Sequence, residues 1–162
     1  MNKSFFYVIF FFFFSFVGFV FAQEGKLPPA DSDGKNRKIG ILGVPQEILD
    51  KCHAFFDNII ANKIEKAFDD LIGNSPLKKK TDEIQKLITE TKRANTLYGT
   101  IRSYEPINSE IVTESFIRVR YLAYHTDFPM RWVFTFYKSP KLGWIVVNIR
   151  FDDLSEFFFK ED

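Results

Sequence analysis

The feature that most constrains the fold is a stretch of aromatic and β-branched residues from Arg118 to Asp153. Turn-forming residues at 127–129 and 139–143 divide this stretch into three runs. Such residues favour strands, and short turns between the runs indicate antiparallel neighbours. The stretch therefore predicts an antiparallel meander of three strands. A weaker run from Gly99 to Val112, interrupted by Pro106, would add a fourth strand.

Side-chain alternation indicates how this sheet is covered. The last run, from Trp144 to Asp152, alternates without interruption. One set is Trp144, Val146, Asn148, Arg150 and Asp152, and the other is Ile145, Val147, Ile149 and Phe151. Strict alternation predicts one face packed on helices and one face partly wet. The middle run is aromatic on one face, which leaves three interpretations open: a curved sheet that encloses its own core, a subunit interface, or a ligand pocket.

Upstream of the sheet, apolar residues recur every four positions, as on one face of an α-helix. The series begins after Pro45, a residue preferred in the first helical turn. Its members are Ile48, Cys52, Phe56, Ile60, Ile64 and Phe68. We expect one long amphipathic helix that ends at Gly73-Asn74. Cys52 should be a small buried core residue, and His53 should lie at the boundary of the buried face.

A second helical pattern follows. Ser75-Pro76 is a cap-then-proline signal, and Asp82 followed by Gln85 resembles a capping box. The positions that share one helical face are Ile84, Leu87, Ile88, Thr91, Ala94 and Tyr98. Gly99 ends this pattern. Two to three helices therefore precede the sheet, and the predicted fold class is α+β.

Residues 1–22 have the pattern of a secretory signal peptide. Lys3 precedes an almost unbroken apolar run, and Val20-Phe21-Ala22 presents small side chains at the positions expected before a cut. We expect cleavage after Ala22 and a secreted or periplasmic protein. The alternative is an uncleaved membrane anchor, because the apolar run approaches the length needed to span a bilayer.

The rest of the chain divides into a flexible linker, residues 23–43, and a single domain, residues 44–162. The linker is polar and rich in breakers, which is typical of a tether. The chain has 22 Lys+Arg and 21 Asp+Glu, so no strong field exists to attract nucleic acid. One cysteine excludes an internal disulfide, and two histidines are too few for a His-based metal cluster. We expect no nucleic acid, cofactor or metal as partner.

The sequence lacks familiar catalytic motifs, such as a serine elbow, a glycine-rich phosphate loop or His-Glu-x-x-His. The best acid–base candidates are His125 and Asp127, close together at the end of a strand. Both residue types also occupy strand ends for purely structural reasons. The strand arginines, which could hold an anion or form cross-strand ion pairs, are Arg102, Arg118, Arg120 and Arg150. We expect the ion pairs, with Glu105, Glu114 and Asp152.

The order of helices and meander resembles the nuclear-transport-factor-2-like superfamily. The residues that carry the likeness are Trp132–Lys138 and Gly143–Asp152, together with Tyr98-Gly99-Thr100 before the first strand. The chain looks most like the secreted bacterial members of unknown function. The resemblance extends from about Pro45 to Phe158. It implies a cone-shaped, cystatin-like α+β fold, with helices packed on a curved four-stranded antiparallel sheet and a cavity between them.

Enzymatic members of this superfamily place an acidic base and a Tyr or Asp donor inside the cavity. Here no acidic residue interrupts the apolar stripe of the first helix. We therefore expect a secreted, non-catalytic module that binds a small apolar ligand or a protein partner. The expected pocket residues are Phe56, Ile60, Tyr98, Tyr121, Trp132, Phe134 and Phe136. The alternative is an isomerase- or dehydratase-type enzyme with His125 or Asp127 as its base.

The C-terminal end carries three consecutive phenylalanines, Phe157–Phe159. Apolar side chains in such a cluster need to be covered. We expect either that this segment folds back onto the domain or that it contributes to a homodimer.

Overall fold

The computed structural model describes residues 43–154. The helices are α1 (Gln46–Ile60), α2 (Ile64–Ile72), a short 3-10 helix (Pro76–Lys79) and α3 (Thr81–Tyr98). The strands are β1 (Ile101–Thr113), β2 (Phe116–His125), β3 (Pro129–Ser139) and β4 (Gly143–Asp152). They form one open antiparallel sheet in the order β1-β2-β3-β4. The predicted α+β class and the predicted meander are confirmed.

Three expectations concern residues outside this range: the signal peptide, nearly all of the linker, and the cover over Phe157–Phe159. Within residues 43–154, none of the helices has the length and apolar character needed to cross a membrane.

The expected single long helix is wrong, because two helices, α1 and α2, replace it. The chain breaks at Asn62, whose φ of 57° lies in the left-handed region that Asn tolerates better than most residues. The physical reason lies in the spacing. Successive residues of an α-helix are rotated by about 100° around its axis. Residues four apart are therefore displaced by about 40° around the axis, and an apolar series with this spacing winds slowly away from the core. The break resets this drift, and Ile64 and Phe68 are buried at 3% and 0% exposure.

Of the two helix starts predicted after Gly73, one is confirmed and the other is wrong. Ser75-Pro76 forms the predicted cap, since the Ser75 side chain accepts a hydrogen bond from the Leu77 N–H at 3.2 Å. The predicted capping box is wrong. The N-cap of α3 is Lys80, without a side-chain cap, and Lys80 forms an ion pair with Glu83 at 2.9 Å instead. Asp82 lies within the first turn of α3, where it complements the helix dipole.

Strict alternation in β4 is also wrong, because the strand contains a bulge. Thr135 lies opposite Asn148 and Phe136 lies opposite Val146, so Val147 is an extra residue on β4. A bulge shifts the inward and outward positions that follow it by one residue. The core side of β4 is therefore formed by Trp144 and Val146 before the bulge, and by Ile149 and the partly buried Phe151 after it.

The core lies between the helices and one face of this sheet. On β2 the buried face consists of the alternating set Ile117, Val119, Tyr121, Ala123 and His125. Phe56 of α1 stacks on Tyr104 with ring centroids 4.5 Å apart. Phe55 contacts the rings of Trp132 and Phe134 edge-on at 5.2 and 5.3 Å. Each such pair contributes on the order of 1 kcal/mol beyond its buried area.

A candidate groove between α3 and β4

Five of the seven expected pocket residues lie in the core. Phe56, Tyr121 and Phe134 are fully buried and contact one another at 5.3 to 6.0 Å between ring centroids. Trp132 stacks on Phe134 at 6.0 Å, and Phe136 is fully buried. These rings occupy the space between α1 and the sheet by packing against each other.

The other two expected pocket residues lie elsewhere. Ile60, at the end of α1, is 40% exposed. Tyr98, at the end of α3, is half-buried and lines a groove at the surface. The structure therefore brings five of the seven together and separates two from them.

The two candidate bases each contact the backbone at the end of α3. His125 is 7% exposed, and its Nδ1 lies 2.6 Å from the Gly99 carbonyl oxygen. Desolvation lowers the pKa of His125 below its ordinary value, and the Gly99 hydrogen bond offsets this only in part. Asp127 is exposed in the β2–β3 turn, where its backbone N–H donates to the Tyr98 carbonyl. Both residues have structural contacts in the same corner of the fold.

Cys52 is a fully buried core residue, as its place on the apolar stripe predicted. Burial raises the pKa of its thiol well above the ordinary value, and the Tyr121 hydroxyl offsets this only partly. A thiol with a raised pKa carries almost no thiolate at neutral pH and is a poor nucleophile.

One polar cluster escaped sequence reasoning. The Tyr104 hydroxyl donates to Asp57 Oδ1 at 2.9 Å, and the His53 ring lies 5.7 Å from the Tyr104 ring. The spacing of His53 and Asp57, four apart on α1, was the available signal. Asp57 is exposed. The carboxylate of this cluster therefore belongs to the surface of α1 and not to the core.

Two of the four strand arginines, Arg118 and Arg120, form cross-strand ion pairs as predicted, although with a different acid. Arg118 and Arg120 both form ion pairs with Glu110, the first at 3.2 Å. Asp152 pairs with Arg131 at 2.8 Å. The Tyr124 hydroxyl donates to Glu105, and burial together with this bond raises the pKa of Tyr124 to about 12.

A surface groove runs between α3 and the second half of β4. It consists of two adjoining depressions, of about 290 and 390 Å³, that share Glu90 and Phe151. The smaller one is lined by Glu90, Arg93, Ala94, Leu97, Tyr98, Met130, Phe151, Asp152 and Asp153. The larger one is lined by Glu83, Lys86, Leu87, Glu90, Ile149 and Phe151. We refer to these residues together as the α3–β4 groove.

The groove has an apolar floor and a polar rim. Ile149 and Phe151 belong to the floor because the bulge at Val147 turns them toward the helices. On the rim, Arg93 forms an ion pair with Glu90 at 3.1 Å. The Tyr98 hydroxyl donates to Asp153, and this bond raises the pKa of Tyr98. Sequence reasoning missed the floor because it placed no bulge in β4.

A third depression, of about 550 Å³, lies among α2, the 3-10 helix and α3. Its lining includes Asp69, Lys78 and Gln85 beside Ile72, Ile84 and Ile88. Unlike the α3–β4 groove, it is bordered by helices alone. Because its lining contains no strand residue, this depression offers no strand edge to an extended segment.

Among residues 43–154, no three His, Cys, Asp or Glu side chains gather closely enough to hold a metal ion. Comparison with known proteins matched no family, no curated protein and no solved structure to this chain.

Proposed function

We propose that this protein is a secreted, non-catalytic binding domain that takes an extended segment of a protein partner along the outer edge of β4, in the α3–β4 groove. The observation that carries the proposal is a strand edge beside a pair of side-chain pockets. In strand addition, main-chain hydrogen bonds supply affinity, and pockets for alternate side chains supply specificity.

The two edges of the sheet differ in a way that supports β4 as the docking edge. β1 contains Pro106 and three register irregularities. Proline and bulges are devices that prevent an edge from pairing with another chain. The first half of β4 is also covered, since the Ser75 hydroxyl donates to the Val146 carbonyl at 2.5 Å. Beyond Val147, no other strand in residues 43–154 pairs with the outer edge of β4.

The two depressions suit alternate side chains of an added strand. Side chains that point to the same face of a strand are two residues apart, about 7 Å. The depressions adjoin at Phe151 and follow the strand direction, with Ile149 in one and Asp153 in the other. Their apolar floor favours large apolar side chains in the partner.

Within this proposal the domain has the cone-shaped architecture of the nuclear-transport-factor-2-like superfamily. The curvature that such a cone needs is supported by the bulge at Val147 and by the irregularities of β1, because bulges bend and twist a sheet. Secretion follows from the signal pattern of residues 1–22.

A displayed library of random peptides, selected on the protein from Gln23 onward, tests the proposal. We expect selected peptides to bind in extended form and to slow amide exchange at Asn148–Asp153. Leu87→Glu and Leu97→Glu, two groove residues, should weaken binding by at least about tenfold, or 1.4 kcal/mol. The matched control is Ile111→Glu, since Ile111 is a 48% exposed apolar residue of β1.

Equal loss of affinity in all three variants would overturn the proposal, and so would peptides that leave the β4 amides unprotected. Binding of small apolar molecules at the α1–sheet aromatic core, without peptide binding, would favour the small-ligand alternative. A dimeric mass with β4 amides protected in the free protein would identify a second copy as the occupant.

A further inference from the structure

Hydrogen bonds on either side of Gly99 hold the end of α3 and the start of β1 against the end of β2 and the β2–β3 turn. The Asp127 N–H donates to the Tyr98 carbonyl at 2.9 Å. The Arg102 Nε–H donates to the Thr126 hydroxyl at 3.2 Å. His125 contributes the shortest contact, from Nδ1 to the Gly99 carbonyl oxygen at 2.6 Å. We refer to residues 98–102 and 125–128 as the corner.

The protonation state of His125 follows from its contacts. A carbonyl oxygen only accepts hydrogen bonds, so Nδ1 carries the proton in the neutral ring. Nε2 is buried and has no hydrogen-bond partner among the described residues. Protonation of His125 would place a second N–H and a positive charge at this buried position, without an acceptor to compensate the lost hydration.

Each element at the corner presents a titratable or charged group. Tyr98 of α3 has its ring 6.4 Å from that of His125, and its hydroxyl is bonded to Asp153. Arg102 belongs to β1, and Asp127 belongs to the turn. Asp127 is exposed, and it interacts with the corner through its backbone N–H. No carboxylate of the described residues is hydrogen-bonded to the buried Nε2.

We propose that His125 makes the corner acid-sensitive, so that protonation releases the end of α3 from the β2–β3 turn and loosens the end of the α3–β4 groove that Tyr98 lines. The release of the corner stands independently of the proposed function, whereas its effect on binding rests on that function.

The sign of the pH dependence follows from the contacts. Burial favours neutral His125 and lowers its pKa in the folded protein. The stability that the corner contributes is therefore complete above the ordinary histidine pKa of about 6.5, and falls as the pH drops from there toward the folded-state value. The corner should therefore open more often in mild acid than at neutral pH.

Hydrogen exchange of the protein from Gln23 onward, at about pH 7.5 and about pH 5 with intrinsic rates corrected, tests the release. We expect the amides of residues 98–102 and 125–128 to lose about tenfold in protection in acid, while those of Val119 and Phe134 in the central strands keep theirs. His125→Asn is the matched variant, because its amide N–H can still donate to Gly99 without titrating. It should remove the pH dependence of the corner.

A uniform loss of protection across the sheet would overturn the proposal, as would an unchanged pH response in His125→Asn. Should that variant fail to fold, the NMR titration of His125 in the native sequence decides, and a pKa above about 6.5 would sink the idea. The selected peptides separate the two claims. Acid should weaken the binding of these peptides to the native protein but not to His125→Asn. If the corner opens in acid and peptide binding is unchanged, the proposed effect on the groove is contradicted and the release of the corner stands.

Discussion

Single residues fix the corner and the β3–β4 turn through their backbone conformation. Gly99 and Gly143 both have positive φ, 78° and 68°, which a residue with a side chain adopts only at a cost. They differ in surroundings. A Cβ at Gly99 would lie 2.6 Å from Thr126 Cβ, whereas one at Gly143 would have no atom within 4 Å. Gly99 also has a ψ of 175°, in a region nearly restricted to glycine, so it combines backbone strain with a steric clash that Gly143 lacks.

We predict that Gly143→Ala lowers the free energy of unfolding by about 1–2 kcal/mol, the cost of the left-handed conformation. Gly99→Ala should lower it by a further 1–3 kcal/mol or so, because the corner must move to admit the methyl group. Urea unfolding of both variants measures the difference. Adding Thr126→Gly to Gly99→Ala should recover part of the lost stability. Equal losses in Gly143→Ala and Gly99→Ala would contradict the prediction.

His125 shows how far one residue can be interpreted from sequence. Its place at the end of a strand suggested either a base or a structural contact, and the pattern alone did not decide between them. The decisive facts are the Gly99 carbonyl at Nδ1 and the buried Nε2. Both depend on segments that are 26 residues apart in the chain. The burial of Cys52 was predictable because this residue belongs to the apolar stripe of α1.

At the scale of elements, two local irregularities changed what the sequence pattern predicted. The break at Asn62 divides the first helix, and the bulge at Val147 redirects the end of β4. Apolar residues continue on both sides of each irregularity, so neither could be recognised from the apolar pattern. The second irregularity matters for the proposed function, since it places Ile149 and Phe151 in the floor of the α3–β4 groove.

The link between the 3-10 helix and β4 gives a prediction at this scale. Ser75 is 2% exposed, accepts from the Leu77 N–H and donates to the Val146 carbonyl. Ser75→Ala removes both bonds and leaves the buried carbonyl without this donor, so we expect a loss of about 1–2 kcal/mol in thermal or urea unfolding. Ser103→Ala, at an exposed position of β1, should change stability by less than about 0.5 kcal/mol. Similar values for the two variants would contradict the predicted role of Ser75.

At the scale of the whole molecule, the domain relies on packing. The sequence contains one cysteine, which is buried and free, so the fold has no internal disulfide. Its stability comes from an aromatic core in which Phe55, Phe56, Trp132 and Phe134 contact one another. Such a core is consistent with a role as a rigid frame for a site at its surface.

The proposed export of the protein is testable directly. Expression with residues 1–22 intact in a bacterial host should give an extracytoplasmic product whose N-terminus is Gln23, because Val20 and Ala22 occupy the positions that signal peptidase recognises. Intact-mass measurement and N-terminal sequencing check this. Ala22→Asp should leave the precursor uncleaved, while Ala30→Asp, beyond the expected cut, should have no effect. A native product that keeps Met1 would favour the membrane-anchor alternative.

The sequence by itself determined the α+β class, the order of helices before strands, the three-stranded meander and the buried face of α3. These features follow from periodicity, which depends on neighbours a few residues apart. The tertiary structure decided where the helix breaks, where β4 bulges and what surrounds His125. It therefore also decided that a groove opens between α3 and β4, while most of the expected pocket residues pack together as core. Those outcomes depend on contacts between distant segments, which no local pattern encodes.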